Sequence, residues 1–463
     1  MDGEQANPEC PGCRELRKEI AELRRIIEEL RGAGKRQAGP FSKGPPKPQP
    51  KRPGRKPGDD YGKQFSRAEP ERIDETHTAP LPAACPHCGG RHVAPTHTAE
   101  QFQTEVVCQV VQRKFVVHVG QCRACGQRVQ GRHPLQTSDA LGAARVQLGA
   151  RAHALIAWLN KRLGLSHGKV QEFFQRLFAL RIGRATSCRS MLRTAHLAEP
   201  AATEIRQQIR GSPYLVPDET GWRIGGRLAW LHVAVGESET VVQVERGRGY
   251  EPLANLVGLD YAGRLIHDGW AVYDKFCRAE HQQCLTHLSK RCRELMETAR
   301  GGAVRFPREV QALLRRGLAV RDRFALGQLS LQGLAWWRTR LTRALEELVR
   351  PIKRHPANET FAKFLERHLD EVFTFLVPVT RTTAAGLVHR LLPAANYLGE
   401  QAIRPAVVNR KVWGGNRTDR GAAAQGTLST IVLTAMQRTL DPLAWLQQLR
   451  ESPQPLHLPR QRR

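Results

Sequence analysis

Hydrophobic positions change their period along the chain, and each change marks a new segment. Near the N-terminus Leu16, Ile20, Leu23, Ile27 and Leu30 recur at alternating spacings of four and three, with Glu15, Arg17, Lys18, Glu22, Arg24 and Glu28 on the other faces. This heptad signature predicts a short coiled coil over residues 1–32, carrying Cys10-Pro-Gly-Cys13. Little more than two heptads is marginal in isolation, so the segment either dimerises or packs on its own chain. Periodicity then stops. Residues 33–70 are rich in Pro, Gly, Lys and Arg, as in Gly44-Pro-Pro-Lys-Pro-Gln-Pro-Lys-Arg-Pro-Gly, and read as a disordered basic linker.

Helical spacing returns over 137–205, with Leu141, Leu148, Ala152, Leu155, Ile156 and Leu159 marking a first helix. Ser166 is placed to cap a second, and Arg181-Ile-Gly183-Arg turns the chain into an Arg-bearing third. Such a pair is either a DNA-binding helix-turn-helix or two helices packing on themselves. Residues 206–290 switch to strands. Tyr214-Leu-Val-Pro-Asp218, Arg227–Val235 and Thr240–Glu245 are β-branched or aromatic runs closed by Gly or charged turns. A helix with Leu253, Leu256 and Val257 on one face follows, then Gly263-Arg-Leu-Ile-His-Asp268-Gly as a fourth strand. The order strand, strand, strand, helix, strand lets the first and fourth strands lie side by side. Residues 291–390 carry Leu313, Leu314, Leu318, Trp336, Trp337, Leu341, Leu345, Phe364, Leu365 and Leu369 at helical spacing and read as an all-helical insertion. Residues 391–463 would complete the core.

Charge narrows the partner. Lys and Arg number 72 against 44 Asp and Glu, a formal net charge of +28 spread along 463 residues. A polyanion such as DNA is expected to bind with strong salt dependence. A basic membrane-surface protein is disfavoured, because no apolar run approaches a spanning length and the basic stretches lack an aromatic face. Met1-Asp-Gly-Glu-Gln does not open a signal peptide, so a cytoplasmic, nucleoid-associated location is expected.

Eleven cysteines without a secretion signal point to metal or free thiols. Cys85-Pro-His-Cys88 and Cys122-Arg-Ala-Cys125 flank a β-rich stretch, Phe102–Val111 and Lys114–Val119, and two such knuckles complete a tetrahedral structural zinc site. A zinc ribbon is therefore expected over 71–136. Cys10 and Cys13 lack a partner knuckle; two copies sharing one zinc and an unligated thiol pair stay open. Cys284 and His287 are three apart on an expected helix, and packing behind the acidic centre is favoured over ligation.

That centre is expected from Asp218 and Asp268, which end the first and fourth strands. Two carboxylates forced together suit a hard divalent cation, magnesium or manganese. A two-metal site needs a third carboxylate. Glu400 is one candidate, and Glu346, Glu366 and Glu371 compete on spacing alone. Asp74-Glu-Thr is a decoy, since no comparable strand series follows it.

The chain resembles transposases of the insertion sequence 66 family. The resemblance rests on the Cys-x-x-Cys and coiled-coil start, the basic linker, Cys85-Pro-His-Cys-Gly-Gly, Asp218-Glu-Thr, His267-Asp-Gly-Trp-x-x-Tyr273, Cys284-x-x-His287 and Gly399-Glu-Gln-Ala-Ile-Arg-Pro405. It continues through Val408-Asn-Arg-Lys-Val-Trp-Gly-Gly-Asn-Arg417 to Ser429, Thr434 and Asp441-Pro442. Ala395-Asn-Tyr397 stands where the family usually has Thr-Asn-Asn, and Val377 to Leu392 departs from its pattern. The resemblance implies a multidomain α+β protein with a ribonuclease-H-like catalytic core, and an Asp218, Asp268 and Glu400 triad holding magnesium or manganese. It implies strand cleavage and transfer on transposon ends and target DNA, a homo-oligomer, and accessory proteins from the same element. Arg404, Arg410, Lys411 and Arg417 are expected to hold phosphates near Glu400. An inactive or repurposed zinc-containing DNA-binding protein is the alternative, and a host nuclease of the same fold is a third class.

Overall fold

A computed structural model describes residues 69–460 apart from 92, 143–144, 384–385 and 453, together with Glu19, Ile20, Glu22 and Leu23. Those four are helical; the rest of the expected coiled coil, the Cys10 and Cys13 pair and nearly all of the basic linker lie outside the described residues. The chain divides into two units, Met1–Val107 and Cys108–Arg463.

Each unit carries one knuckle. In the first, the Cys85 amide donates to Gly90 O and the Gly89 amide to Cys85 O, both at 2.8 Å. The second repeats the turn, with Cys122 N–H on Gln127 O and Gly126 N–H on Cys122 O at 2.8 Å. Gly89 and Gly126 take φ of +74° and +68°, which the turn requires and glycine adopts without strain. The second knuckle joins β1 (Val119–Gln121) to β2 (Arg128–Gln130) as an antiparallel pair. The longer strands expected over 102–118 are not formed. A β-branched run needs a paired, half-buried surface, whereas Val106 and Val107 here are exposed.

Three helices follow: α1 (Ala150–Lys161), α2 (His167–Phe178) and α3 (Arg184–Ile209). Ser166 caps α2 as expected, accepting from Lys169 N–H at 3.3 Å. The helix α3 runs past the expected boundary at 205. It buries Ala195, Ala198, Ala202, Ile205 and Ile209 in the main core, so the second helix of the expected pair has its inner face committed to packing.

The sheet contains β3 (Tyr214–Ile224), β4 (Arg227–Val235), β5 (Thr240–Glu245), β6 (Arg264–His267) and β7 (Glu280–Gln283), with α4 (Tyr250–Val257) between β5 and β6. Its order is β5-β4-β3-β6-β7. The pairs β3–β4 and β4–β5 are antiparallel, whereas β3–β6 and β6–β7 are parallel. Alternation dictates two covered faces. Leu215, Ala234, Val241 and Leu265 join a core with α3, α4 and a late helix over Asp419–Gln437, while Tyr214, Val216, Val233 and Ile266 join one with the helix over Tyr397–Trp413.

The insertion comprises α5 (Leu285–Thr298), α6 (Arg305–Ala325), α7 (Leu331–Val349) and α8 (Pro356–Arg367) around a core of its own. It is not all helical. Val379–Thr383 (β8) and Gly386–Arg390 (β9) form an antiparallel hairpin where the sequence departs from the family pattern. Then come α9 (Tyr397–Trp413), α10 (Asp419–Gln437) and α11 (Pro442–Glu451).

Candidate active site

Asp218, expected to end the first strand, instead lies midway along β3, because the strand continues past it to Ile224; it stands on the central strand opposite Val233 of β4. On its other side Tyr214 pairs with Arg264 and Leu215 with Leu265, a fifty-residue offset. That pairing stops at Leu215 and Leu265, and Asp268 is the residue directly after β6. The first and fourth strands of the sequence reading are thus neighbours, as expected. Glu400 arrives from the first turn of α9. Gly399 permits the approach: a Cβ there would stand 3.1 Å from Asp218 Cβ and 3.2 Å from Val216 O.

The start of α9 is anchored from behind. Cys284, fully buried at the head of α5, donates through Sγ to Asn396 Oδ1 at 3.1 Å and accepts from Asn396 N–H at 3.3 Å. Its own amide bonds His267 O at 2.8 Å, and Leu285 N–H bonds Ala394 O at 3.0 Å. This clamp ties β6, α5 and α9 together. One turn into α5, His287 Nε2 lies 3.9 Å from Glu400 Oε1. Cys284 therefore packs behind the acids, as expected, while His287 reaches their edge.

The carboxylates of this region bear on one another's ionisation. Burial pushes the Asp218 carboxyl up to about 7, with Glu219, Asp268 and Glu400 adding to the rise against the opposing bond from the Glu219 amide. Burial also raises Glu219, whose bond from Arg248 opposes the shift. His287 is raised by the Cys284 side chain first, then by Asp268 and Glu400. Among the described residues, no three His, Cys, Asp or Glu side chains are drawn together tightly enough to enclose a metal ion.

Asp268 is fixed by the turn it begins. Its Oδ1 accepts from Trp270 N–H at 3.0 Å, and Gly269 takes φ of +88°, where a Cβ would meet Gln283 Oε1 at 2.7 Å. Gly269 N–H donates to His267 Nδ1 at 3.2 Å, so that nitrogen carries no proton. His267 Nε2 must then donate to His281 Nδ1 at 3.0 Å, which leaves His281 Nε2 to donate to Phe276 O at 3.1 Å. The chain of bonds fixes the orientation of both rings, and His267 stacks on Tyr273 with centroids 4.4 Å apart.

Elsewhere the placement of sequence-predicted residues varies. Arg410 Nη1 donates to Thr220 Oγ1 at 2.8 Å and to Gly221 O, bracing β3 two residues beyond Asp218. Asn416 accepts from Trp222 Nε1 at 2.7 Å and pairs through its backbone with Arg223 and Gly225. The segment Val408–Arg417 thus fastens the end of α9 to the β3–β4 hairpin. Arg404, Lys411 and Arg417 are exposed. Of the competing glutamates, Glu346 pairs with Arg350, Glu371 with Gln283 and His368, and Glu366 is exposed. Sequence reasoning did not single out Glu219, Arg248 or the His267–His281 pair. The Asp-Glu-Thr and His-Asp-Gly-Trp-x-x-Tyr motifs were the available signal.

The mixed five-stranded sheet with helices on both faces is compatible with the catalytic domain of a transposase. The family model described as transposase IS66 family matches residues 145–424, and the chain belongs to that family. It is by family a transposase, and so in general a protein that processes DNA. Comparison with curated proteins gave no match. No helix among the described residues is long and apolar enough to cross a membrane.

Proposed function

We propose that the protein cuts its element's ends and joins them to target DNA by divalent-metal-dependent phosphoryl transfer, on a sheet read as ribonuclease-H-like. The observation that carries this reading is the convergence of three carboxylates, Asp218 on the central strand, Asp268 directly after its parallel neighbour and Glu400 on the helix seated through Gly399 against Asp218, with Asp218 pushed up to about 7 by burial first and then by Glu219, Asp268 and Glu400. Oxygen donors under mutual repulsion fit magnesium or manganese, and these three carboxylates would hold the ions. When bound, such ions supply an activated nucleophile and stabilise the leaving oxygen of an in-line displacement.

The chain's own residues do the positioning. Gly399 seats the Glu400 helix against β3, the His267 relay fixes the Asp268 turn, and His287 flanks Glu400. Arg404, Lys411 and Arg417 are assigned to DNA phosphates, and Arg410 is assigned chiefly to bracing β3. Zinc fits the two knuckles: in each, turn amides hold the first thiol, Cys85 or Cys122, below the ordinary cysteine range, which favours the thiolate that zinc takes. Cys85, Cys88, Cys122 and Cys125 are the proposed zinc ligands. A homo-oligomer pairing two ends, with accessory proteins of the same element, completes the reading.

The test is incubation with DNA carrying the element's own ends, with magnesium or manganese, beside Asp268→Asn. Nicking and joining by the native protein alone, with binding retained in the variant, is expected. Binding without metal-dependent cutting by the native protein would sink the enzyme reading in favour of a repurposed regulator.

A further inference from the structure

One cation is built in beside the acidic residues, bonded to Glu219 next to Asp218. Arg248 sits in Gly247-Arg-Gly249, the loop between β5 and α4. Its guanidinium carbon lies 4.8 Å over the Trp230 ring and 4.4 Å over the Trp270 ring. Its Nε and Nη2 both donate to Glu219 Oε1, at 3.1 and 2.8 Å. These partners belong to the chemistry: Glu219 follows Asp218, and Trp270 supplies the amide that bonds Asp268.

Stacking engages the faces of a guanidinium and leaves its edge donors free to bond. One edge is taken by Glu219, and Nη1 has no bonded partner among the described residues. The Arg248 side chain is 44% exposed while that of Glu219 is 8% exposed. An ion pair serving only to neutralise Glu219 would not need two indole rings to fix the orientation of its exposed half. A planar, pre-oriented donor edge beside carboxylates suits a phosphate oxygen, and its side-chain ordering is already complete before DNA arrives.

We propose that Arg248 binds a non-bridging phosphate oxygen of the DNA strand held at the acidic centre, an inference that rests on the DNA-processing reading above. Glu219, Trp230 and Trp270 are its positioning residues. The contact supplies a fixed positive charge beside the acidic residues, on the side formed by β4 and the β5–α4 loop, and Arg404, Lys411 and Arg417 lie on or just after α9.

The test is equilibrium binding of the full-length Asp268→Asn protein, which cannot cut, to end DNA and to an unrelated duplex across a salt series. Adding Arg248→Gln should lower the salt slope by about one and weaken binding about tenfold. Arg248→Lys should keep the slope, because the charge remains, and weaken binding several-fold, because the paired edge is lost. Glu219→Gln should keep the slope, since the cation stays. Unchanged slope and affinity in Arg248→Gln, with a lowered melting temperature, would reduce Arg248 to a partner of Glu219 and overturn the proposal. If Arg248→Gln does not fold, affinity of Arg248→Lys equal to the parent overturns it instead. Failure of the native protein to cut its ends counts against the enzyme reading alone, because the slope on either duplex still reports Arg248.

Discussion

Replacing Asp218 by Asn should make the metal-free protein more stable, although it removes a proposed ligand. Asn keeps the shape and still accepts the Glu219 amide bond made at 2.9 Å. What it removes is a carboxylate raised from 3.8 to about 7 by burial, Glu219, Asp268 and Glu400. A folded-state pKa above the unfolded one gives stability that is complete below about 4 and lost as pH rises through 7. The ionised group therefore burdens the fold at pH 8. That rise corresponds to at most about 4 kcal/mol, and partial solvent access to the carboxyl reduces this to roughly 2–4 kcal/mol. Denaturant unfolding in chelator at pH 8 should place Asp218→Asn above the native protein by that amount, with the gap closing towards pH 4. Magnesium should reverse the order, because it stabilises the protein that binds it. A variant no more stable than native at pH 8 without metal would refute the buried, acid-flanked setting of Asp218 from which the prediction is drawn.

Other substitutions test the frame. Gly399→Ala should cost about 1–3 kcal/mol, read by thermal melting, because the Val216 carbonyl 3.2 Å away belongs to the central strand and cannot yield. Asn416→Ala strands the buried Trp222 indole N–H and should cost about 1–3 kcal/mol. Elemental analysis of the purified chain should find one zinc, lost on Cys122→Ser; zinc retained in full would remove that cysteine from the proposed site.

The alternation of β3, β4 and β5 and the run of α4 made the sheet legible, because each strand covers a buried face and each turn is punctuated by Gly or charge. The adjacency of the strands that lead to Asp218 and Asp268 followed from strand order alone. Glu400 did not, since its arrival depends on Gly399 and the Cys284–Asn396 clamp, neither of which has a periodic signature. Strand β7 escaped notice because Glu-His-Gln-Gln is polar; Gln282 is nevertheless buried, bonding Val372 O at 3.0 Å and accepting from the Phe375 amide. Arg410 shows the converse limit. A conspicuous arginine near the third acid reads as a phosphate contact, yet its guanidinium is engaged with Thr220 and Gly221.

The motif His267-Asp-Gly-Trp-x-x-Tyr273 turns one aspartate towards the site and uses the rest to hold it there, and pH separates the two tasks. His267 is lowered from 6.5 to about 3, by burial first and then by His281. A folded pKa below the unfolded one gives stability present above 6.5 and lost as pH falls towards 3, the opposite sense to Asp218. Protonation would also break the bond that Nδ1 accepts from Gly269. His267→Phe keeps a ring over Tyr273 but leaves that amide unpaired, so it should cost about 1–3 kcal/mol at pH 7. Between pH 7 and 5 the native protein loses up to about 2 kcal/mol of the His267 contribution while the variant does not, so the cost of His267→Phe should shrink or change sign. Over the same interval the advantage of Asp218→Asn should fall by about as much, because the native carboxyl takes up its proton. Matching unfolding curves for the two variants across that range control for each other. If His267→Phe kept its full cost at pH 5, the neutral relay would not be what sets the Asp268 turn, and the ring would be acting by packing alone.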